Sequence, residues 1–340
     1  MVTREVREAH VPRILITEPI AQEGIELLRY ELPEAHIEVR LDLSPEQLRM
    51  LIGNYTALII RSQTRVTDEL LAAAPHLQII GRAGSSLDNI DLDAAIRHGV
   101  LVVHAPRGNA IAVAEHTIAL LLALARHIPA ATSSIKAGRW DKSRLLGVEL
   151  HGKVLGILGL GRIGKEVARL AQALAMRVIA SDPFVSARQE QQVGVTLHSK
   201  EEVLQHADFV TLLATVAEGE SGTRRLLGTR ELHLLKPGAY LVNCARGSLL
   251  DEQALLAALT EGRLAGVALD VFSQEPIGDD TVLRQLLVHE RVIATPHLGA
   301  STAEAQVRVA TSVARNIISA LRGGTLYGVT TLQFPPTEPA

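Results

Sequence analysis

The chain has almost no cysteine. Cys244 is alone among 340 residues, so an intramolecular disulfide and a cysteine-built metal cluster are both closed to it. Aromatic residues make up only 3%, too few for the stacking platforms on which single-stranded nucleic acids lie. Charge of one sign is also lacking. The formal net charge is −3, which gives no global attraction to nucleic acid or to an anionic membrane. No apolar run has the length and purity of a membrane-spanning helix; the run 118–125 stops at Arg126 and His127. The first residues are charged and carry no apolar signal core, so a cytoplasmic protein is expected. No metal, nucleic-acid or membrane partner is expected. Hydrophobic residues, by contrast, reach 47%, enough for the two domains that this length suggests.

The hydrophobic pattern predicts an α/β fold. Short apolar runs at 13–17, 36–41, 57–60, 77–80 and 100–103 read as strands, the last three as buried parallel ones. Helices are predicted between them at 22–29, 45–52 (with Ser44 as N-cap), 67–73 and 91–98. The stretch 110–126 reads as a helix apolar nearly all round, buried against a domain or a second subunit. A second α/β series then has strands at 154–158, 177–181, 208–213, 239–243, 266–270 and 291–294, and a helix at 251–259. The last helix, about 301–321, is expected to return to the first unit. The end of the chain, from Pro335, reads as a disordered tail.

The second series opens on a glycine-rich turn. Gly159, Gly161 and Gly164 form a Gly-x-Gly-x-x-Gly spacing after an apolar strand and before a helix, and Asp182 ends the next strand. The first glycine allows a tight turn, the second lets a pyrophosphate approach the backbone, and the third lets the helix pack on the strand. The helix start offers free N–H groups to phosphates. Asp182 can accept from an adenosine ribose and repels a 2′-phosphate, which favours NAD over NADP.

A dinucleotide needs a reacting partner, and in open parallel sheets ligands lie beyond the carboxyl ends of the strands. Three strand ends there carry charge: Arg246, Asp270 with Glu275 in the next loop, and His297. The set fits oxidation of an alcohol beside a carboxylate. His297 can take the hydroxyl proton as a hydride leaves for the nicotinamide. Glu275 can fix its tautomer, and Arg246 can bind the carboxylate. Asp270 can accept from the nicotinamide amide or position its loop. Each residue alone has a plainer reading as a solvated charge or turn residue; their joint placement favours function.

With these residues in order, the chain resembles the D-isomer-specific 2-hydroxyacid dehydrogenases, most closely the 3-phosphoglycerate dehydrogenases. The resemblance runs from about 14 to 308. Its motifs are 61–67, 81–84, 88–91, 108–109 with 114–115, 136–140, 147–153, 159–164, 243–247, 269–272, 275–276 and 295–302. It implies two Rossmann-like or flavodoxin-like parallel-sheet domains with a cleft between them. The substrate domain would be discontinuous, 1–106 with 298–340, and the NAD domain, 107–297, would pair in a homodimer. Arg246, Glu275 and His297 would be the catalytic set. Arg162 and Ile163 would line the pyrophosphate, and Cys244, Ala245, Asp270, Leu298, Gly299 and Ala300 the nicotinamide. Arg61, Ser62, Gly84, Ser85 and Asn109 would meet the substrate. Lys136, Arg139, Lys142 and Arg144 either supply charge for a phosphate or form a basic surface loop.

The implied reaction is NAD-dependent conversion of 3-phosphoglycerate to 3-phosphohydroxypyruvate, on the way to L-serine. Two other readings stay open: a glyoxylate or hydroxypyruvate reductase working on 2-oxoacids, and a non-catalytic NAD-sensing corepressor on the same fold. Two segments depart from the family pattern. Gly84-Ser85-Ser86 stands where a Gly-x-Gly loop is usual, and Leu213-Ala214-Thr215 where His-x-Pro is usual, with 216–222 longer than expected. The regulatory C-terminal module of many long phosphoglycerate dehydrogenases has no counterpart before Ala340, so serine feedback through one is not expected.

Overall fold

The computed structural model describes residues 11–185, 193–215 and 225–326. The charged first residues, the long loop 216–222 and the tail from Pro335 lie outside the described residues. The chain divides into two compact units, Met1–Asn109 with Thr302–Ala340, and Ala110–Ser301.

The first unit holds a five-stranded parallel sheet in the order β2-β1-β3-β4-β5. Its strands are β1 (Arg13–Ile16), β2 (His36–Val39), β3 (Ala57–Ile60), β4 (Ile79–Arg82) and β5 (Leu101–His104). β3 is buried along its whole length, as its uninterrupted apolar run requires in a sheet covered on both faces. β4 starts two residues later than the apolar run at Leu77, because Leu77 N–H closes a turn onto the Ala74 carbonyl. Helix starts follow the expected caps: Ser44 makes a full capping box with Gln47, and Thr67 and Asp91 accept from backbone N–H groups three residues on.

The helix Ala303–Leu321 belongs to this unit. It packs on the helix Gln22–Glu31 and on β4, where Gly81 leaves room for it: a Cβ there would lie 2.5 Å from a methyl of Val313. The loop 106–109 stays with this unit for a similar reason. Gly108 lies against Val309, and its carbonyl accepts from Arg308 Nε at 3.0 Å.

The second unit holds a seven-stranded parallel sheet in the order β12-β11-β10-β9-β6-β7-β8. Its strands are β6 (Val154–Leu158), β7 (Arg177–Ser181), β8 (Thr196–Leu197), β9 (Phe209–Leu212), β10 (Ala239–Asn243), β11 (Leu264–Leu269) and β12 (Val292–Ala294). Renumbered from β6, the order is 3-2-1-4-5-6-7, the doubly wound dinucleotide arrangement with one added edge strand. The helix Ala110–Ala125 packs against the helix Arg162–Ala173 and against β10 and β11. It buries Val113, Thr117, Leu121 and Leu124 but leaves Ile111 and Leu122 exposed. Among the described residues no single helix is long and apolar enough to cross a membrane. The helices Lys200–His206, Thr229–Leu234 and Thr281–Val288 went unmarked by the hydrophobic pattern. They are short, with only one or two buried residues each.

Candidate active site

The glycine-rich turn joins β6 to the helix Arg162–Ala173. Gly159 has φ +104, and a Cβ on it would lie 2.4 Å from the Ala214 nitrogen; only glycine meets both demands. A Cβ on Gly164 would lie 2.3 Å from the Gly159 carbonyl oxygen, so the helix sits directly on the turn. Gly161 is the N-cap and offers no side-chain cap, and the first helical turn has no acidic residue. A Cβ on Gly161 would meet nothing within 4 Å. The positive end of the helix therefore opens at a glycine without a side-chain cap and beside open space, which fits a pyrophosphate. Asp182, just past β7, accepts from Leu160 N–H at 2.8 Å and from Phe184 N–H at 2.9 Å. It ties the turn to the strand end, and each carboxylate oxygen keeps a lone pair for a ribose hydroxyl.

The charged residues come from the loops after β10, β11 and β12. After β12 the chain turns through His297, whose φ of +54 is in the left-handed region, unusual for a residue with a side chain. Asp270 holds this turn. Its carboxylate is 1% exposed and accepts from Thr295 Oγ1 (2.6 Å), Leu298 N–H (2.8 Å), Gly299 N–H (2.8 Å) and His116 Nε2 (3.2 Å). Its backbone carbonyl also accepts from His297 N–H at 2.9 Å. Burial pushes the Asp270 carboxyl up, but these donors outweigh it and hold the group below the usual range.

The His297 ring is half-exposed, and its Nδ1 lies 2.6 Å from Glu275 Oε2. The other Glu275 oxygen accepts from Phe272 N–H at 2.9 Å. Burial opposes the ionised form of Glu275, but the bonds from His297 and Phe272 prevail and lower its pKa. An ionised carboxylate only accepts, so Nδ1 carries the proton and neutral His297 keeps its lone pair on Nε2. The bond to Glu275 raises the imidazole pKa, with burial and the charge of Arg246 pulling the other way. Arg246 is thus close enough to act on the ring electrostatically. Gly247 shows why: a Cβ on it would lie 2.0 Å from the Phe272 carbonyl carbon, so the Arg246 loop and the loop carrying Glu275 are in contact. Fully buried Asn243 shapes the Arg246 loop, donating to the Arg246 carbonyl and accepting from Ala245 N–H. An acid-supported imidazole and a guanidinium therefore share one end of the sheet that carries the glycine-rich turn.

The profile of the family described as "D-isomer specific 2-hydroxyacid dehydrogenase, NAD binding domain" matches residues 118–299. The chain belongs to that family. Its second unit is an NAD-binding domain, and the glycine turn and Asp182 fit that cofactor. The chain is 42% identical over 318 residues to a D-3-phosphoglycerate dehydrogenase of Synechocystis sp., covering 93% of this chain and 55% of that protein. The chain spans about half the length of the curated relatives it matches, such as 60% of one from Archaeoglobus fulgidus and 49% of one from Arabidopsis thaliana. Among solved structures, the TT0316 protein of Thermus thermophilus matches with a TM-score of 0.85 and 32% identity over 94% of this chain and 99% of that one. A glyoxylate reductase from Paecilomyes thermophila matches with a TM-score of 0.83 and 30% identity over 94% and 98%.

Leu298 and Gly299 are fixed through their N–H groups by Asp270, and Ala300 follows them in the same turn. Cys244 is buried, and burial pushes its thiol up to about 12, so it stays neutral. Arg162 is exposed at the helix start, and Ile163 packs partly into the core. Arg61, Ser62, Gly84, Ser85 and Asn109 all lie in the first unit. There Ser85 Oγ accepts from Asn109 Nδ2 at 3.0 Å, the Ser85 carbonyl meets His104 Nδ1 at 2.9 Å, and Ser86 Oγ accepts from Asp88 N–H. The two serines thus close the loop with their own hydrogen bonds, and none of residues 84–86 has a left-handed backbone. Arg139 pairs with Asp141, and Lys142 and Arg144 are exposed on a short 3₁₀ turn.

His116, Thr295 and Asn243 also take part in the site, though no local pattern in the sequence singles them out as individual actors. His116 lies 154 residues from Asp270 in the chain, and nothing local marks it beyond its place beside Ala114 and Glu115.

The His297–Glu275 bond makes a measurable prediction. Because Glu275 is the largest cause of the raised pKa, the His297 imidazole should titrate above its ordinary value of 6.5. In Glu275→Gln the midpoint should fall, since the largest upward contribution is lost while burial and the Arg246 charge still lower it, with only the Asp270 charge left against them. NMR titration of the histidine ring checks this; equal midpoints in the two proteins would refute the assignment.

Proposed function

We propose that this chain is a cytoplasmic enzyme that oxidises a D-2-hydroxyacid at C2 with NAD, and that the acid is 3-phosphoglycerate, converted to 3-phosphohydroxypyruvate on the route to L-serine. The observation that carries the reaction is the 2.6 Å pair of His297 Nδ1 and Glu275 Oε2, with Nε2 left to accept a proton and Arg246 nearby. The choice of acid is supported by the relatives named D-3-phosphoglycerate dehydrogenase, at 42–45% identity.

His297 Nε2 takes the proton of the C2 hydroxyl as the C2–H bond breaks and the carbonyl forms. Bound NAD supplies the acceptor for the hydride. Glu275 keeps the ring in the required tautomer and stabilises the imidazolium that results. Arg246 binds the substrate carboxylate and the C2 oxygen through charge-assisted hydrogen bonds. Arg61 and Ser62 take the polar end of the acid, with Gly84, Ser85 and Asn109 on the carboxylate side. In the reverse direction the same imidazolium returns its proton to the C2 oxygen.

The glyoxylate reductase among the structural matches supports a second reading, reduction of glyoxylate or hydroxypyruvate. NADH absorbance at 340 nm, followed over a panel of 2-hydroxyacids, separates the two. kcat/KM should be higher for 3-phosphoglycerate than for glycerate; equal values would reject the phosphate preference. In the same assay His297→Ala should lose about 10²–10⁴ in kcat while NAD binding survives. Near-normal turnover would remove His297 from the mechanism.

We further propose a homodimer. Ile128 and Ile135 on the helix Ile128–Lys136, with Trp140 and Leu146 beyond it, are all more than half exposed, an unusual concentration of large apolar side chains for a free surface. Light scattering should give twice the chain mass of 36.6 kDa. A monomer at micromolar concentration would contradict this assembly.

A further inference from the structure

We propose that Glu18 is a positioning residue for Arg61, and that through Arg61 it sets the preference for an acid carrying a second anionic group. The inference rests on the reading that Arg61 takes the polar end of the acid.

The first sheet has the order 2-1-3-4-5, so its topological switch point lies between β1 and β3, where sheets of this kind bind ligands beyond the strand ends. Glu18 follows β1 there, and Arg61 is the first residue after β3. The Glu18 side chain is buried, with 5% of the residue exposed. One carboxylate oxygen accepts from the N–H groups of Arg61 (2.8 Å) and Thr64 (2.9 Å), and the other from Gln63 N–H (3.0 Å). The loop 61–64 thus wraps its backbone donors around a carboxylate, as backbone nests wrap a bound anion. In this unit the anion is the protein's own.

The loop is gripped from its acceptor side as well. Asn89 Nδ2 donates to the carbonyls of Arg61 (2.8 Å) and Thr64 (2.6 Å). The Arg61 guanidinium is held too, Nη1 donating to the Pro19 carbonyl at 3.2 Å. Arg61 is therefore fixed at its N–H, its carbonyl and its side chain, two of the three by the adjacent residues Glu18 and Pro19. Burial pushes the Glu18 carboxyl up, but the loop's N–H groups outweigh it and hold the group below the usual range, so the clamp is an ionised one at neutral pH.

Two consequences follow for binding. The N–H groups of residues 61, 63 and 64 are already used by Glu18, so within this loop the charged contact to an anion falls to the Arg61 side chain, with Ser62 left to add a neutral hydrogen bond. That side chain is preset, and a preset cation loses less freedom when it meets its ligand. A carboxylate removed from water is costly unless its donors are all in place; here the return is a fixed guanidinium.

The test is a double-mutant cycle on the full chain with Glu18→Gln, Arg61→Ala and both together. The readouts are kcat and KM for 3-phosphoglycerate and for glycerate, and NADH affinity by fluorescence titration. Glu18→Gln places an amide against a backbone N–H and loosens the loop. KM for 3-phosphoglycerate should rise about ten- to a hundredfold, with kcat within about twofold, NADH affinity unchanged and a much smaller effect on glycerate. In the Arg61→Ala background the same change should add little further. The inference is overturned if Arg61→Ala raises KM and Glu18→Gln does not, or if the Glu18→Gln effect persists in full without Arg61. An Arg61→Ala variant with unchanged KM defeats the underlying reading of Arg61, and the inference with it. Should Glu18→Gln fail to fold, Glu18→Asp keeps the charge while shortening its reach, and a smaller rise in KM in the same direction is expected.

Discussion

The buried carboxylate of Asp270 is the constraint on which the candidate site depends. It gathers a threonine hydroxyl, a histidine N–H and two backbone N–H groups onto two oxygens. Three of those donors come from the turn that carries His297. That turn needs the help, because His297 sits in a left-handed backbone conformation that costs a residue with a side chain free energy unless its surroundings over-determine it. Without Asp270 the segment 295–299 would lose its common anchor. The imidazole would then lose its direction, and the 2.6 Å bond to Glu275 would become one option among several. Asp270 therefore acts through His297, whatever else lies near it when NAD is bound.

The same economy recurs at other strand ends. Asp182 accepts from the glycine-rich turn, Asn243 closes the Arg246 loop on itself, and Glu252 accepts from Ser273 N–H at 2.9 Å, bracing the loop that carries Glu275. In each case a short acceptor at a strand end or helix start satisfies loop donors that would otherwise need water. Parallel sheets place such loops together, since every strand ends on the same edge. That is how residues 243–247, 270–275 and 295–299, far apart in the chain, come to share one edge of the second sheet.

Much of the framework was legible in the sequence because it rests on patterns with short range. Strands β3, β6, β7 and β10 are apolar runs ended by glycine or polar residues, and their limits are those the pattern suggests. The Ser44 cap and the glycine spacing are likewise local. The return of the last helix to the first unit was legible from chain order, and Gly81 and Gly24 supply the physical reason, since each lies in van der Waals reach of that helix. What escaped was long-range polar pairing. His116 meets Asp270, and Glu18 meets the loop 61–64, across separations that leave no periodic trace. The serines of the 84–86 loop were legible as a departure from the family pattern, but their partners, Asn109 and Asp88, were not. A hydroxyl's partner depends on which loop faces it, and hydrophobic periodicity does not encode that.

The central claim is that an imidazole aligned by Glu275 accepts the proton of the C2 hydroxyl. The most direct measurement is a crystal structure of the complex with NAD and 3-phosphoglycerate. His297 Nε2 should lie within about 2.6–3.2 Å of the C2 oxygen, with Nδ1 still on Glu275. A C2 hydroxyl hydrogen-bonded to some other group, with His297 Nε2 turned toward solvent, would contradict it.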